Sequence, residues 1–165
     1  MGKNCLQQEI AEYVIRYKEN YYRLAYSYVK NADDAMDIVQ ESIYKAIASI
    51  DSLKESSSIK TWFYRIIVNT SLDLLRKQKK VSVVENETIL SLDAGTYDAY
   101  ESFDLQRKLD DLPDELQTVI KLRYFEDLKI GEIAEILNEN LNTVKSRLYK
   151  ALKILKIKIM EDEVV

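Results

Sequence analysis

Residues 128–150 read LKIGEIAEILNENLNTVKSRLYK, and this stretch decides the fold. Ile130, Ile133, Ala134 and Leu137 recur at helical spacing and make the inner face of a short helix, with Ala134 small where a following helix must come close. Asn138-Glu139-Asn140 reads as a tight turn, with Asn138 where the backbone most needs a left-handed conformation, which Asn accepts better than any residue but Gly. Asn142 is then expected to cap a second helix whose buried stripe is Val144, Leu148, Ala151, Leu152 and Leu155. Thr143, Lys145, Ser146, Arg147, Tyr149 and Lys150 are left outside. A short helix, a three-residue turn and a helix with a basic, hydrogen-bonding outer face together predict a helix-turn-helix whose second helix reads DNA. An ordinary helical hairpin with a basic face would share each feature singly.

Working outward, Pro113 followed by Asp114 and Glu115 is a helix start signal, and Leu116, Val119, Ile120 and Tyr124 give that helix its inner face. Leu105, Leu109 and Leu112 form a shorter stripe before it. From Val81 to about Ser102 the periodicity fails: Gly95, several Ser and Thr residues and the acids Glu85, Glu87, Asp93 and Asp98 mark a linker. Upstream, Ile10, Val14, Tyr17, Tyr21, Leu24, Ala25 and Tyr28 predict one long amphipathic helix with a tyrosine-rich inner stripe. Asn31, with Asp33 and Asp34 behind it, is expected to cap a second helix buried through Ala35, Val39, Ile43, Ala46 and Ile50. Ser56-Ser57-Ser58 reads as a capping loop. The third helix packs through Ile59, Trp62, Phe63, Ile66, Ile67 and Leu74 and ends in the basic run Arg76 to Lys80. The expected architecture is all-α, with a helical unit over residues 1–80, an acidic linker over 81–102 and a helix-turn-helix unit over 103–165.

Composition narrows the function classes. Only 3 Gly and 1 Pro occur in 165 residues, too few for the turns of an all-β fold. There is no His, which removes the usual neutral-pH general base and the commonest metal ligand. With no phosphate-cradling glycine loop either, no catalytic constellation, cofactor site or metal site is expected. Cys5 stands alone and no apolar run is long enough to span a bilayer, so a cytoplasmic protein is expected. The net charge is -4, yet cations cluster. Lys60, Arg65, Arg76, Lys77, Lys79 and Lys80 face only Asp73 in residues 56–80, and residues 142–158 carry six cations and no acid. Two basic islands flanking an acidic bridge suggest two nucleic-acid contacts on one chain, although solvated helix faces would carry the same charges.

The first unit chooses among helix-turn-helix classes. Asp37-Ile38-Val39-Gln40-Glu41, then residues 59–70 (IKTWFYRIIVNT) and Leu74-Leu75-Arg76-Lys77, closely resemble the second region of extracytoplasmic-function σ factors. Leu112-Pro113 and Thr143-Val144-Lys145-Ser146-Arg147-Leu148 resemble the same family's fourth region, in order and spacing. One departure is Asn138, where the family often has Gly. The resemblance is to the group that answers cell-envelope stress in low-G+C Gram-positive bacteria. It implies that Asp37, Val39, Gln40, Glu41 and Tyr44 dock on core RNA polymerase. It further implies that Leu53, Lys60, Arg65, Asn69, Arg76 and Lys77 engage the opened minus-10 strand of promoter DNA, with a flipped base near Asn69. Thr143, Lys145, Ser146, Arg147, Tyr149 and Lys150 would read the minus-35 duplex. The acidic linker would lie in a polymerase channel, and a membrane-anchored anti-σ factor would hold the protein silent. A stand-alone dimeric helix-turn-helix regulator and a non-DNA helical interaction protein are the alternatives.

Overall fold

The computed structural model describes residues 2–53, 59–84 and 105–164, and every regular element among them is helical. α1 (Gly2–Arg16) and α2 (Lys18–Val29) are followed by α3 (Ala32–Ala48), a single 3₁₀ turn (Ile50–Ser52) and α4 (Ile59–Val84). The second unit comprises α5 (residues 105–110), α6 (Asp114–Ile120) running into a π turn (Lys121–Phe125), α7 (Ile130–Leu137) and α8 (Leu141–Val164). The Ser56–Ser58 cap and the linker acids Glu85, Glu87, Asp93 and Asp98 lie outside the described residues.

In the first unit α2, α3 and α4 pack as a bundle with α1 laid against it. Tyr21, Leu24, Ile38, Val39, Phe63 and Ile67 are almost wholly buried at its centre. The tyrosines are core, as the stripe implied: the Tyr21 ring lies 4.8 Å from Phe63 and 5.0 Å from Tyr64, the latter edge-on. The one long first helix of the sequence reading is instead two. Tyr17, at φ −109° and ψ 18°, kinks the chain between α1 and α2, and its side chain turns outward while Tyr21 and Tyr28 stay inside. Asn31 caps α3 as expected, its Oδ1 accepting from the Asp34 N–H at 2.9 Å. α4 does not stop at Lys80; the basic run lies within a helix that continues to Val84.

The second unit buries Leu109, Leu112, Leu116, Val119, Leu122, Leu128, Ile133, Ile136, Val144 and Leu148. Its turn matches the sequence reading at Asn138, which sits at φ 54°, ψ 45°. Its cap does not: Asn140, not Asn142, accepts the Thr143 N–H at 2.8 Å, because α8 starts two residues earlier, at Leu141. Tyr124 is another correction. The π turn, closed by Glu126 N–H donating to the Lys121 carbonyl at 3.1 Å, adds one residue to the helical repeat. That rotation carries Leu122 into the core and leaves Tyr124 exposed. Leu105, at the start of its stripe, is likewise exposed, and so is Leu152, between the buried Ala151 and Leu155.

Candidate nucleic-acid and polymerase interface

On α8, Lys145, Ser146, Tyr149 and Lys150 are exposed, and their one- and four-residue spacings put them on one helix face. Thr143 is half-buried beside the cap. Arg147 differs from its neighbours. Its side chain is 22 % exposed and its guanidinium lies 3.3 Å from Glu139 and 3.8 Å from Glu115, so it ties the recognition helix to the turn and to α6. The free donors of the face are therefore the two lysines, the serine and the tyrosine.

α3 presents Asp37, Gln40, Glu41 and Tyr44 to solvent at i, i+3, i+4 and i+7, a single stripe on the helix. Val39 does not belong to it. It is buried against the first unit's core, since a residue two places from Asp37 points to the opposite side of a helix. Beside the stripe lies an apolar hollow of about 440 Å³ between α1 and α3, walled by Ile10, Val14, Ile15, Ile43 and Ile47. Ile15 and Ile47 are largely exposed there. Sequence periodicity could have found them, because both fall off the inner stripes of their helices.

On α4, Arg65, Asn69 and Arg76 are four and seven residues apart and share an exposed stripe, with Lys77 exposed to one side of it. Leu53 does not share that stripe: it is buried in the core. Trp62 packs on the core as expected while its indole N–H donates to Ser52 at 3.0 Å.

The two sequence-defined sets do not stand apart. Asn69 and Arg76 line one wall of a cleft of about 120 Å³ whose other wall holds Glu115, Leu137, Glu139 and Arg147. Lys60 reaches across to Glu132 at 2.9 Å, and Lys79 approaches Asp114 at 3.7 Å. Glu132 also accepts the Lys129 N–H at 3.0 Å, capping α7. Partial burial pulls its carboxyl upward, but that N–H and Lys60 outweigh it and hold the group below the usual carboxylate range.

Deeper in the same interface, sequence reasoning missed Lys121. It is fully buried, its ammonium 3.7 Å over the Tyr28 ring and 3.1 Å from the Ser27 carbonyl of α2. Burial, assisted by Lys30, pushes its pKa down to about 7. The Tyr28 hydroxyl, itself buried, bonds to Thr118 of α6 at 2.7 Å. Tyr64 donates to Glu126 at 3.0 Å, and burial raises the pKa of both partners. A lysine in an apolar register, one residue before a leucine of the core, was the only sequence signal.

Two helical units of this order, the second a helix-turn-helix with a basic reading face, define a transcription-initiation factor of the σ70 type. Residues 13–81 match the family described as Sigma-70 region 2, and residues 102–155 match Sigma-70, region 4. The chain belongs to the extracytoplasmic-function σ factors. It is 54% identical over 147 residues to RNA polymerase sigma factor SigV of Bacillus subtilis, covering 89% of each. It is 35% identical to ECF RNA polymerase sigma factor SigW of the same organism, over 91% of this chain and 88% of that one. Among solved structures, CnrH in complex with the cytosolic domain of CnrY superposes with a TM-score of 0.71 at 20% identity, over 93% of this chain and 88% of that one. RpoE in complex with the anti-sigma factor NepR from Bartonella quintana gives 0.71 at 23%, over 91% and 96%.

Proposed function

We propose that this chain is an alternative σ factor that binds core RNA polymerase and directs promoter-specific initiation. The observation that carries this is the pairing, on one chain, of a σ region 2 bundle with a region 4 helix-turn-helix whose α8 face is exposed and basic. α8 lies in the minus-35 major groove, with Lys145 and Lys150 on phosphates or guanine edges and Ser146 and Tyr149 as hydrogen-bonding partners. Lys lacks the bidentate fork of Arg, so each such contact is a single donor rather than a fixed pair. Arg147 acts by holding α8 at its angle.

Arg65, Asn69 and Arg76 take the opened minus-10 strand. Unstacking a base costs a few kcal/mol, and an amide able to bond a base edge, with cations on the neighbouring phosphates, can return it. Lys60 and Lys77 extend the phosphate track along α4. The stripe Asp37, Gln40, Glu41 and Tyr44, with the adjacent Ile15 and Ile47, docks on the polymerase; its acids suit a basic partner and its hollow an apolar one. The polymerase makes the phosphodiester bonds, while this subunit supplies register, sequence choice and capture of the opened strand.

An anti-σ protein, membrane-anchored, is the matching regulator, and release under envelope stress is the matching signal. The solved relatives whose names include an anti-sigma factor or a cytosolic partner domain support that reading. A cytoplasmic location follows from it, and among the described residues no helix is long and apolar enough to cross a membrane.

The test is run-off transcription on a promoter selected from genomic fragments by the reconstituted holoenzyme. Core polymerase plus this chain is expected to initiate there, with Asn69→Ala reducing open-complex formation while leaving binding to core intact. Tight duplex binding by the chain alone, with core adding nothing, would overturn the assignment in favour of a dimeric regulator.

A further inference from the structure

We propose that Asn142 is a base-reading residue of α8 and that it takes adenine, its side-chain amide pairing with the N7 and N6 edge of one adenine in the major groove of the minus-35 duplex. This rests on the reading of α8 as the minus-35 helix. From sequence Asn142 is the expected cap of α8, and a capping side chain is occupied by the backbone. In the structure Asn140 holds that place, its Oδ1 accepting the Thr143 N–H at 2.8 Å. Asn142 falls inside the helix, which starts at Leu141. Its side chain is exposed and makes no hydrogen bond among the described residues.

Asn142 precedes Lys145, Ser146 and Tyr149 by three, four and seven residues, so the four share one side of α8, with Asn142 nearest the helix start. In a helix-turn-helix the N-terminal residues of the second helix are the ones that meet base edges. Lys145 and Lys150 can only donate, and Ser146 and Tyr149 each bring a single hydroxyl. An amide sets a donor and an acceptor side by side in one plane. Adenine presents their complement: its N7 accepts from the Nδ2–H while its N6 amino group donates to Oδ1. Guanine offers two acceptors there and would set O6 against Oδ1, and cytosine and thymine offer one polar group each. Of the side chains on this face, the Asn142 amide is therefore the one whose chemistry selects a base.

The end of the helix that carries it is held. Asn138, at φ 54° and ψ 45°, closes α7, and the Asn140 cap fixes the first turn of α8. Arg147 fastens the following turn to Glu139 at 3.3 Å and to Glu115 at 3.8 Å. A short side chain on such a support loses little freedom when it pairs. The fold makes no use of the amide, so its removal changes what α8 reads and leaves α8 in place.

The experiment is a binding selection by the holoenzyme, full chain with core polymerase, on a promoter fragment randomised over the minus-35 region, for the parent and Asn142→Ala. The parent is expected to choose adenine at one position by about fivefold or more over any other base. Asn142→Ala should bring the bases at that position within about twofold of one another and leave the preferences at other positions in their order. Replacing that adenine by 7-deazaadenine, which lacks the N7 acceptor, tests the pairing on the parent chain itself: affinity should fall for the parent and stay unchanged for Asn142→Ala. A choice of adenine that survives Asn142→Ala, a loss spread evenly over all sequences, or a 7-deazaadenine effect equal in both chains overturns the proposal. Initiation by the parent holoenzyme from the selected fragments, with Asn142→Ala altering no preference, keeps the σ-factor assignment and removes the Asn142 contact. Selection by the chain alone separates the converse: an adenine choice that depends on Asn142, with core adding nothing, keeps the contact and removes the σ-factor assignment.

Discussion

Replacing Tyr28 by Phe removes one hydroxyl and keeps the ring on which Lys121 rests. In the structure that hydroxyl lies 2.7 Å from Thr118 Oγ1, with the two residues 4% and 2% exposed. Water therefore cannot take the place of the lost partner, and Thr118 is left with an unpaired buried hydroxyl, at a cost of about 1–3 kcal/mol. Thr118→Val alone strands the Tyr28 hydroxyl at a similar cost. The double variant replaces both polar groups by apolar ones of the same shape and is expected to cost less than the two singles together, by about 1 kcal/mol or more of coupling. Urea unfolding followed by circular dichroism measures all four corners of the cycle. Because the bond joins the units, the lost stability should appear as separation of one transition into two, with a lower midpoint for the earlier one. Strictly additive effects, with no change in the shape of the transition, would refute the claim that this pair joins the units.

Three further outcomes are expected. Lys145→Ala should weaken minus-35 duplex binding by the holoenzyme and, if the contact is to a phosphate, reduce the slope of log affinity against log salt by about 1; a slope unchanged at weaker affinity would place Lys145 on a base instead. Asn140→Ala removes the cap of α8 and should lower thermal stability by about 1 kcal/mol, read by calorimetry, whereas Asn142→Ala should be nearly silent. The contact between the units at Lys121 should strengthen as pH rises from 7 toward 9. Burial pushes Lys121 down to about 7, against an ordinary value of 10.5, so in that window the chain with Lys121 exposed binds more protons and alkali favours its burial. The slope approaches tenfold per pH unit at most, for one proton. Lys30, Asp110 and Asp114 face Lys121, and burial raises the Tyr28 phenol above its ordinary value. Urea unfolding across this range measures it: an earlier midpoint that falls as pH rises from 7 toward 9 would contradict the assignment.

The sequence by itself determined the helical class, the two-unit order and the helix-turn-helix. These rest on local physics: periodic burial, the left-handed turn at Asn138, the start at Pro113 and the cap at Asn31. It also named the exposed residues of the α3 and α8 faces, because a helix's outer face is the complement of its apolar stripe. The structure decided what one-dimensional pattern cannot encode. The kink at Tyr17 and the π turn at Lys121–Phe125 shift register by a residue or a fraction of a turn, too little to disturb periodicity but enough to move Tyr17 and Tyr124 outward. Arg147 carries the same composition signal as its neighbours on α8, yet it is held by Glu115 and Glu139. Lys121 is the clearest case. A lysine among apolar residues reads as a surface position until Tyr28 and Ser27, far away in sequence, bring a ring and a carbonyl to it. Contacts between units depend on which faces meet, and that is set by the packing of the whole chain rather than by any segment of it.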